Sequence, residues 1–401
     1  MSTTCVLADH ACSRRQRHAC STRTCVVGGE WRAHACGEAS VLHRTRDFPL
    51  WGEVSTDARM ALIAGGAGCQ CSGMPRHVSI EQAKAVVLTR ERLDRERWKD
   101  REIAAALADG TLLRLQRNRY VLDADWADLW PESRHRVEVA AVCGEMGDGG
   151  GVIARESAAV IWDLPLYRHT PGAVHVVAPR GQHSHSRVGL QRHTEALPEA
   201  DTTVRGDIRV TTLERTVLDV ARTLPLEAAV AAADAALRQI AFIGGQYDID
   251  AAEAWREGMR ARAARATGSR GVRQAIAVIE FADGRAESPI ESVGRVQLWR
   301  LGFVRVRLQV PVAGPNGKDL HVDLEIEDVE SFLEIDGRSK YEDEALRSGR
   351  TIEQVVLDEK RREDWIRGTT QKRVVRAEEA HVATADALRR RLAAFGIRSP
   401  R

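Results

Sequence analysis

The sequence lacks the long apolar runs that a membrane span or an export signal requires. No stretch of about 18 apolar residues occurs, so no membrane-spanning helix is predicted. The first residues, MSTTCVLADHACSRRQRH, are interrupted by polar and charged side chains and form no apolar signal-peptide core. These two absences predict a cytoplasmic protein without a membrane partner.

Cysteine is almost absent after the first part of the chain. Of the eight cysteines, Cys143 alone lies beyond residue 71. The other seven are irregularly spaced and do not form the paired C-x2-C motifs of a zinc site, and disulfides are not expected in a cytosolic protein. Residues 1–75 also lack apolar periodicity. We expect them to lie upstream of a true start at Met60 or Met74, or to be a disordered tail; a metal site is the third alternative.

The net charge is small as well. The formal charge is +2, with 29% charged and 43% hydrophobic residues, which is ordinary for a soluble protein. Binding to nucleic acid would therefore have to come from local basic patches. At roughly 100–200 residues per domain, 401 residues predict two to three domains. We expect an α/β multidomain protein of unknown oligomeric state.

Residues 77–125 predict a winged helix-turn-helix. Two helical segments, 79–89 and 99–109, precede TLLRLQRNRYVLD, which alternates apolar and basic residues and has Asn118 in its turn. A solvated hairpin without a partner is the alternative interpretation. The candidate nucleic-acid contacts on or near the wing are Arg114, Arg117 and Arg119.

Residues 130–245 predict a compact α/β domain. Its segments RESAAVIWDLPL, VHVVAP and VTTLERTVLDVAR resemble the AbiEi-type antitoxin and regulator family, in which a winged helix precedes a small α/β domain. The resemblance covers about residues 77–245 and implies DNA and a cognate toxin as partners. Arg155 and Glu156 stand where this family typically has a Ser-His type of start.

We find no catalytic constellation in this middle domain. Its loop histidines, His183, His185 and His193, are interpreted as solvated polar sequence rather than as a metal site. The following segment, 246–284, is arginine-rich and predicts a basic helical linker of two helices broken at Gly268. A basic stripe that faces phosphate is the sharper alternative for this linker.

Acidic residues dominate the functional signal of residues 285–397. Glu287 and Glu291 lie four apart on a predicted helix, and Glu334 and Asp336 lie two apart on a predicted strand. Asp323 lies on the strand before. The predicted order of elements, αβββαβ, is that of the restriction-endonuclease-like core. Carboxylates gathered in this way repel one another unless a cation lies among them, and a hard divalent cation is the usual one.

Each acidic residue has an expected role in phosphodiester hydrolysis. We expect Asp323, Glu334 and Asp336 to bind Mg²⁺, or Mn²⁺ in its place, and Glu291 to approach from the helix. Lys340 would supply a counter-charge. Glu287 is assigned to the start of the helix. The candidate phosphate contacts on the next helix are Arg361 and Arg362.

The pattern ESxxES, then VD, then EIDGxxKY, then EKRRED resembles the PD-(D/E)XK nuclease superfamily, in its branch similar to Vsr endonucleases. The resemblance covers about residues 285–380. It implies that Asp323 is the principal metal ligand and Glu334 the second acid. Asp336 then occupies the position that is lysine in the most familiar form of the superfamily. Either Lys340 supplies the missing positive charge, or the site is degenerate.

Two functions follow from these resemblances. The first is a nucleic-acid-binding protein whose Mg²⁺-dependent endonuclease domain hydrolyses DNA. The second is an AbiEi-like antitoxin or transcriptional regulator with a degenerate nuclease fold that binds without cutting. A solvated acidic face without function is the remaining interpretation of the carboxylates.

Overall fold

The computed structural model describes residues 25–27, 30–32, 76–147, 150–178, 185–315, 317–336 and 351–400. The chain divides into two compact units, residues 1–73 and 74–401. In the first unit an antiparallel hairpin joins strand β1 (Cys25–Val27) to β2 (Glu30–Arg32). The alternatives predicted for the remainder of this unit lie outside the described residues. The second unit is a mixed α/β structure with several sheets.

The second unit begins with three helices and a small sheet. Its elements are α1 (Ile80–Val86), β3 (Leu88–Thr89), α2 (Arg90–Arg95), α3 (Asp100–Ala108), β4 (Leu112–Gln116) and β5 (Arg119–Leu122). The strands pair antiparallel in the order β3–β5–β4. A capping box starts α1, because Ser79 and Gln82 each accept a backbone hydrogen bond from the other residue. Asn118 takes φ 58° in the turn between β4 and β5, a conformation that asparagine tolerates.

A five-stranded mixed sheet follows, in the order β8–β7–β6–β10–β9. Its strands are β6 (Val152–Ile153), β7 (Val174–Val177), β8 (Leu190–His193), β9 (Thr202–Arg205) and β10 (Ile208–Thr211). Helix α4 (Asp123–Trp126), α5 (Pro131–Met146) and α6 (Arg155–Ile161) precede or interleave with them. Arg136 of α5 is buried and donates to the carbonyls of Val78 and Val160. It therefore links residues 77–125, which we call the first module, to helix α6 beside this sheet.

Four helices form the core beside this sheet, and two short strands lie among them. They are α7 (Leu213–Thr223), α8 (Leu226–Ala241), β11 (Phe242–Ile243), β12 (Gln246–Tyr247), α9 (Ile249–Arg265) and α10 (Val272–Phe281). The segment 246–284 contains the two helices predicted on either side of Gly268, but they belong to the core and do not form a linker. Its helices bury Trp255, Met259 and Ile279 in one cluster with α7 and α8, because their apolar side chains recur at helical spacing between the arginines.

The C-terminal part is built on a four-stranded sheet. It contains α11 (Pro289–Arg300), β13 (Val306–Ala313), β14 (Asp319–Ile326), β15 (Ser331–Asp336), α12 (Ile352–Thr370), β16 (Arg373–Glu378), α13 (Glu379–Val382) and α14 (Ala385–Ala394). The strand order is β13–β14–β15–β16; β15 and β16 are parallel, and the other pairs are antiparallel. Helices α11 and α14 pack on one face and α12 on the other.

Helix α11 joins this sheet to the helical core. It packs against α8, and a buried ion pair crosses the contact: Arg295 lies 3.2 Å from Asp234. Burial raises the pKa of Asp234 to about 6 even with Arg295 beside it. Among the residues that the structure describes, no helix is long and apolar enough to cross a membrane.

Candidate functional site

Asp323 lies on β14 at a point where the pairing with β13 skips one position and the pairing with β15 ends. Towards β13, pairs form at Leu308–Leu324 and Val310–Val322 but not at the position between them. Towards β15, the ladder ends at the pair of Leu324 with Leu333. The Asp323 carboxylate instead accepts the backbone N–H of Ile335 at 2.8 Å. The sheet therefore opens at Asp323, and its side chain takes the place of a backbone acceptor.

Glu334 lies on β15 with 2% of its surface exposed. Arg362 Nη1 is 2.8 Å from its Oε1 but directs its hydrogen bond to Oε2, at 3.1 Å, so the buried Oε1 has no hydrogen-bond partner. Burial raises the pKa of this carboxyl, Arg362 opposes that rise, and the neighbouring Asp323 charge adds to it. Glu334 is therefore a buried carboxylate with one oxygen that makes an ion-pair contact but accepts no hydrogen bond.

A positive charge reaches these carboxylates from the fourth strand. Arg376 pairs directly opposite Glu334 in the parallel β15–β16 register. Its Nη1 donates to Asp336 Oδ2 at 3.0 Å, and its Nη2 lies 3.4 Å from Glu334 Oε2. Although burial alone would lower the pKa of Arg376, the hydrogen bonds that it donates to Glu359 and Glu363 and the charge of Asp336 raise it. Sequence reasoning missed Arg376, since parallel register between distant strands leaves no local signal.

Helix α12 contributes the remaining charges. Glu359, Arg362 and Glu363 face the sheet, and Arg376 donates to both glutamates. Arg367 pairs with Glu363 at 2.6 Å. Arg361 is 70% exposed and pairs with Asp358, so it lies on another face of the helix. Its predicted phosphate contact stays a prediction.

We call this group the acidic cluster. Within the part of the chain that the structure describes, it consists of Asp323, Glu334, Asp336, Glu359 and Glu363 with Arg362, Arg367 and Arg376. Five carboxylates and three guanidinium groups of the described residues therefore lie together, and carboxylate oxygens are the ligands that hard divalent cations prefer.

The predicted metal ligands meet in one region but do not converge on one point. Among the described residues, no three or more His, Cys, Asp or Glu side chains are arranged to hold a metal ion. Arg376 lies between Glu334 and Asp336 and separates their carboxylates. Lys340 lies outside the described residues. Metal binding by Asp323, Glu334 and Asp336 therefore stays a prediction.

Glu291 starts helix α11 and is 5% exposed. Its carboxylate accepts the N–H of Glu287, the hydroxyl of Ser288 and, at 3.2 Å, the Nε2–H of Gln309. Burial raises its pKa, and these hydrogen bonds oppose the rise. The spacing from Ser288 to Glu291 is that of a capping box, a signal that the functional interpretation passed over. Glu287 pairs with Arg238 at 3.1 Å, away from the acidic cluster.

Two of the three predicted wing arginines are exposed. Arg114 and Arg117 have exposed side chains, and Arg114 also lies 5.8 Å from the centre of the Tyr120 ring. Arg119 has 16% of its side chain exposed and donates to the carbonyl of Gly144 at 2.8 Å. Internal hydrogen bonds therefore occupy Arg119 before any ligand binds.

The middle sheet carries a histidine chain that sequence reasoning missed. His169 and His175 both contact Glu156, and His175 Nδ1 lies 2.9 Å from His193 Nε2. Burial alone would raise the pKa of Glu156, but hydrogen bonds from the two histidines hold it at about 2. Burial, with Arg155 and His175 nearby, lowers the pKa of His193 to about 4.

The two other loop histidines lie apart from this chain as far as the structure describes them. His185 is exposed, and His183 lies outside the described residues. The histidine signal is therefore carried by strand positions 175 and 193, which come together because β7 and β8 are parallel neighbours. Sequence spacing alone cannot indicate that pairing.

No protein-family model matches the chain. It is similar to the uncharacterized proteins Rv2248 and MT2308, from two strains of Mycobacterium tuberculosis. Each is 31% identical to it over 160 residues, which cover 37% of this chain and 55% of the relative. The chain therefore spans about half the length of these curated relatives. Neither relative's name assigns an activity.

Proposed function

We propose that residues 285–397 are a metal-dependent endonuclease domain of the PD-(D/E)XK type, similar to Vsr endonucleases, and that the protein hydrolyses phosphodiester bonds of DNA. The observation that carries the proposal is the gathering of the Asp323, Glu334 and Asp336 carboxylates where β14 and β15 part, with a buried Oε1 of Glu334 that accepts no hydrogen bond. The order of α11, three antiparallel strands, α12 and a parallel fourth strand supports it, because that is the order of the restriction-endonuclease core.

The donor set fits a hard cation. Asp323, Glu334 and Asp336 supply carboxylate oxygens, the ligands that Mg²⁺ and Mn²⁺ prefer. The Oε1 of Glu334 accepts no hydrogen bond and therefore has lone pairs available. When bound, such a cation would neutralise phosphate charge and lower the pKa of a coordinated water.

The side chains of the cluster have roles of their own in this proposal. Arg376 supplies the positive charge beside Glu334 that the superfamily's lysine would supply at the position of Asp336. Arg362 presents a guanidinium that can exchange Glu334 for phosphate oxygens, since a guanidinium can donate two parallel hydrogen bonds to a carboxylate or to a phosphate. Lys340, which follows β15 in the sequence, is the alternative source of this charge.

The first module is proposed to deliver this domain to DNA. A helix, a short strand, two helices and a hairpin, with strand order β3–β5–β4, match the topology of a winged helix-turn-helix. Arg101 on α3 and Arg117 in the hairpin turn are exposed and available to phosphates. Arg117→Ala should weaken binding uniformly across sequences and reduce the salt slope of log K by about 1. An unchanged slope would remove Arg117 from the interface.

A plasmid nicking assay tests the nuclease directly. Asp323→Asn should reduce Mg²⁺- or Mn²⁺-dependent nicking at least about 100-fold, which corresponds to an activation barrier about 2.7 kcal/mol higher, because one acidic ligand is removed. The matched control is Asp319→Asn, an exposed acid on the same strand, which should nick at the wild-type rate. Equal activity of the two variants, or no nicking by the wild type with any divalent cation, would contradict the proposal.

A second function is favoured by one observation. Arg362 and Arg376 already neutralise part of the cluster, as a degenerate site that no longer takes a metal would require. The protein would then be an AbiEi-like antitoxin or regulator that binds DNA and a cognate toxin without cutting. DNA binding by the wild type that depends on Arg117, together with no nicking and no Mn²⁺ binding, would select this alternative.

A further inference from the structure

Gln309 has an unusual backbone conformation for a residue inside a strand. Of the strand residues described in the C-terminal sheet, Gln309 alone has a positive φ, 47°. Side chains with a Cβ are disfavoured there, because Cβ approaches the neighbouring carbonyl oxygen. Such a conformation persists where surrounding contacts enforce it, and it is more frequent at functional sites.

The left-handed residue coincides with a change of face in two strands. In a regular strand, residues two apart point to the same face. Here Leu308 packs in the cluster of α11 and α14, whereas Val310 packs in the cluster of α12. The same change occurs on β14, where Leu324 belongs to the first cluster and Val322 to the second. Gln309 and Asp323 are the residues at which the faces exchange.

This exchange accounts for the direction of the Asp323 side chain. With Gln309 left-handed, the position between the pairs Leu308–Leu324 and Val310–Val322 has no ladder pairing. Asp323 is then directed sideways to β15, where it accepts the N–H of Ile335 and lies close enough to raise the pKa of Glu334. If β13 were regular, the Asp323 side chain would follow the alternation of β14 and point to one face of the sheet.

The Gln309 side chain acts on a second acid. Its Nε2 donates to Glu291 Oε2 at 3.2 Å and thereby ties the start of α11 to the strand opposite Asp323. Gln309 therefore contacts Glu291 through its side chain, and its backbone conformation sets the direction of the Asp323 side chain.

We propose that Gln309 is a positioning residue of the acidic site, whose left-handed backbone turns Asp323 towards Glu334 and whose amide fixes Glu291 at the same edge. The effect of Gln309 on catalysis rests on the proposed nuclease function. The enforced left-handed conformation of Gln309 does not, because its effect on stability can be measured in a protein that does not cut DNA.

The test compares glycine at two positions of β13. Gln309→Gly keeps the left-handed conformation without a Cβ but removes the amide, and Arg307→Gly places glycine at an exposed position of the same strand without positive φ. We expect the melting temperature of Gln309→Gly to equal or exceed that of the wild type and that of Arg307→Gly to fall. In nicking, Gln309→Gly should lose at least tenfold in kcat with KM for DNA unchanged, and Arg307→Gly should keep the wild-type kcat.

Each outcome decides a separate part. A fall in melting temperature for Gln309→Gly as large as for Arg307→Gly would overturn the enforced left-handed conformation. A wild-type kcat for Gln309→Gly would overturn the positioning role. If the wild type does not nick, Mn²⁺ binding by calorimetry replaces kcat, with at least tenfold weaker binding expected for Gln309→Gly. A wild type that neither nicks nor binds Mn²⁺ overturns the proposed function, and the Gln309 proposal is then decided by the melting temperatures.

Discussion

Two buried charge clusters in this protein differ in their balance. In the middle domain, Arg215 contacts Asp219 at 3.0 Å, Glu195 at 3.1 Å and Asp201 at 3.4 Å. Arg262 also pairs with Asp201, Arg155 with Glu195 and, at 4.0 Å, Arg222 with Asp219, so each of the three carboxylates has two guanidinium partners. We call this group the balanced cluster. The acidic cluster has five carboxylates for three guanidinium groups and a buried Glu334 oxygen without a hydrogen-bond partner.

The difference separates a structural role from a functional one. The balanced cluster contains Arg215 and Asp219 of the segment VTTLERTVLDVAR and joins α7 to the strand connections and to α9, so its charges hold elements together. In the acidic cluster, burial raises the pKa of Glu334 even with Arg362 beside it, an arrangement that fits the proposed binding of a cation.

The largest effect is expected from removing the central arginine of the balanced cluster. Arg215→Met would leave Asp219, which is 4% exposed, and two further carboxylates without their shared partner. We expect the free energy of unfolding in urea to fall by about 3–5 kcal/mol, as for a broken buried ion pair. Arg209→Met, at an exposed position on β10, is the control and should change it by less than about 0.5 kcal/mol. A loss below about 1 kcal/mol for Arg215→Met would remove the structural role.

The opposite response is expected from the acidic cluster. Glu334→Gln removes a carboxylate whose pKa burial raises, while the arginines keep their other acidic partners, so stability without metal should stay level or rise. Mn²⁺ at about 100 times its Kd should stabilise the wild type by about 2.7 kcal/mol and leave Glu334→Gln unaffected. Asp319→Asn is the control and should respond as the wild type does. Destabilisation of metal-free Glu334→Gln by several kcal/mol would place this cluster in the structural class.

Lowering the pH should destabilise the protein through protonation of His193, which lies beside Arg155 and Glu195 of the balanced cluster. The pKa of His193 is lowered to about 4 by burial and by Arg155 and His175, while Glu195 opposes the shift. Between about pH 4 and 6.5 the unfolded chain therefore binds more protons than the folded protein. The contribution of neutral His193 to the free energy of unfolding is complete above about pH 6.5 and is lost as the pH falls towards 4. After allowance for partial exposure we expect about 1–2 kcal/mol.

The measurement compares urea unfolding of the wild type and His193→Asn at pH 7 and at pH 4.5. The wild type should lose more stability between the two values than the variant, which has no imidazole to protonate beside Arg155. His185→Asn, an exposed histidine of the same domain, is the control and should follow the wild type. Identical pH dependence of the wild type and His193→Asn would show that acid acts elsewhere.

Local signals in the sequence predicted much of the local structure. Ser79 followed by Gln82 predicts the capping box that starts α1, and Asn118 marks the hairpin turn. The general class, a mixed α/β structure with several sheets, is also confirmed. These features depend on neighbours along the chain, whose spacing can be read directly.

The chemistry of the candidate site depends on long-range arrangement, which the sequence does not display. Arg376 reaches Glu334 through a parallel register between strands about 40 residues apart in sequence. Gln309 reverses the alternation of β13, whereas the sequence VRLQVPVA signals only an edge strand, through Pro311, and no left-handed residue. Side-chain alternation could therefore assign Glu334 and Asp336 to one face, but it could not predict which cation lies between them.

The smallest effect on the free energy of unfolding is expected for an ion pair that is exposed to solvent. Arg389 and Asp386 form an ion pair on α14 with 47% and 69% of their side chains exposed. Water screens both charges before and after folding, so Arg389→Met should change the free energy of unfolding by less than about 0.5 kcal/mol in urea titrations. A loss as large as that of Arg215→Met would mean that burial does not set the strength of these pairs. The contrast between a balanced and an unbalanced buried cluster would then lose its physical basis.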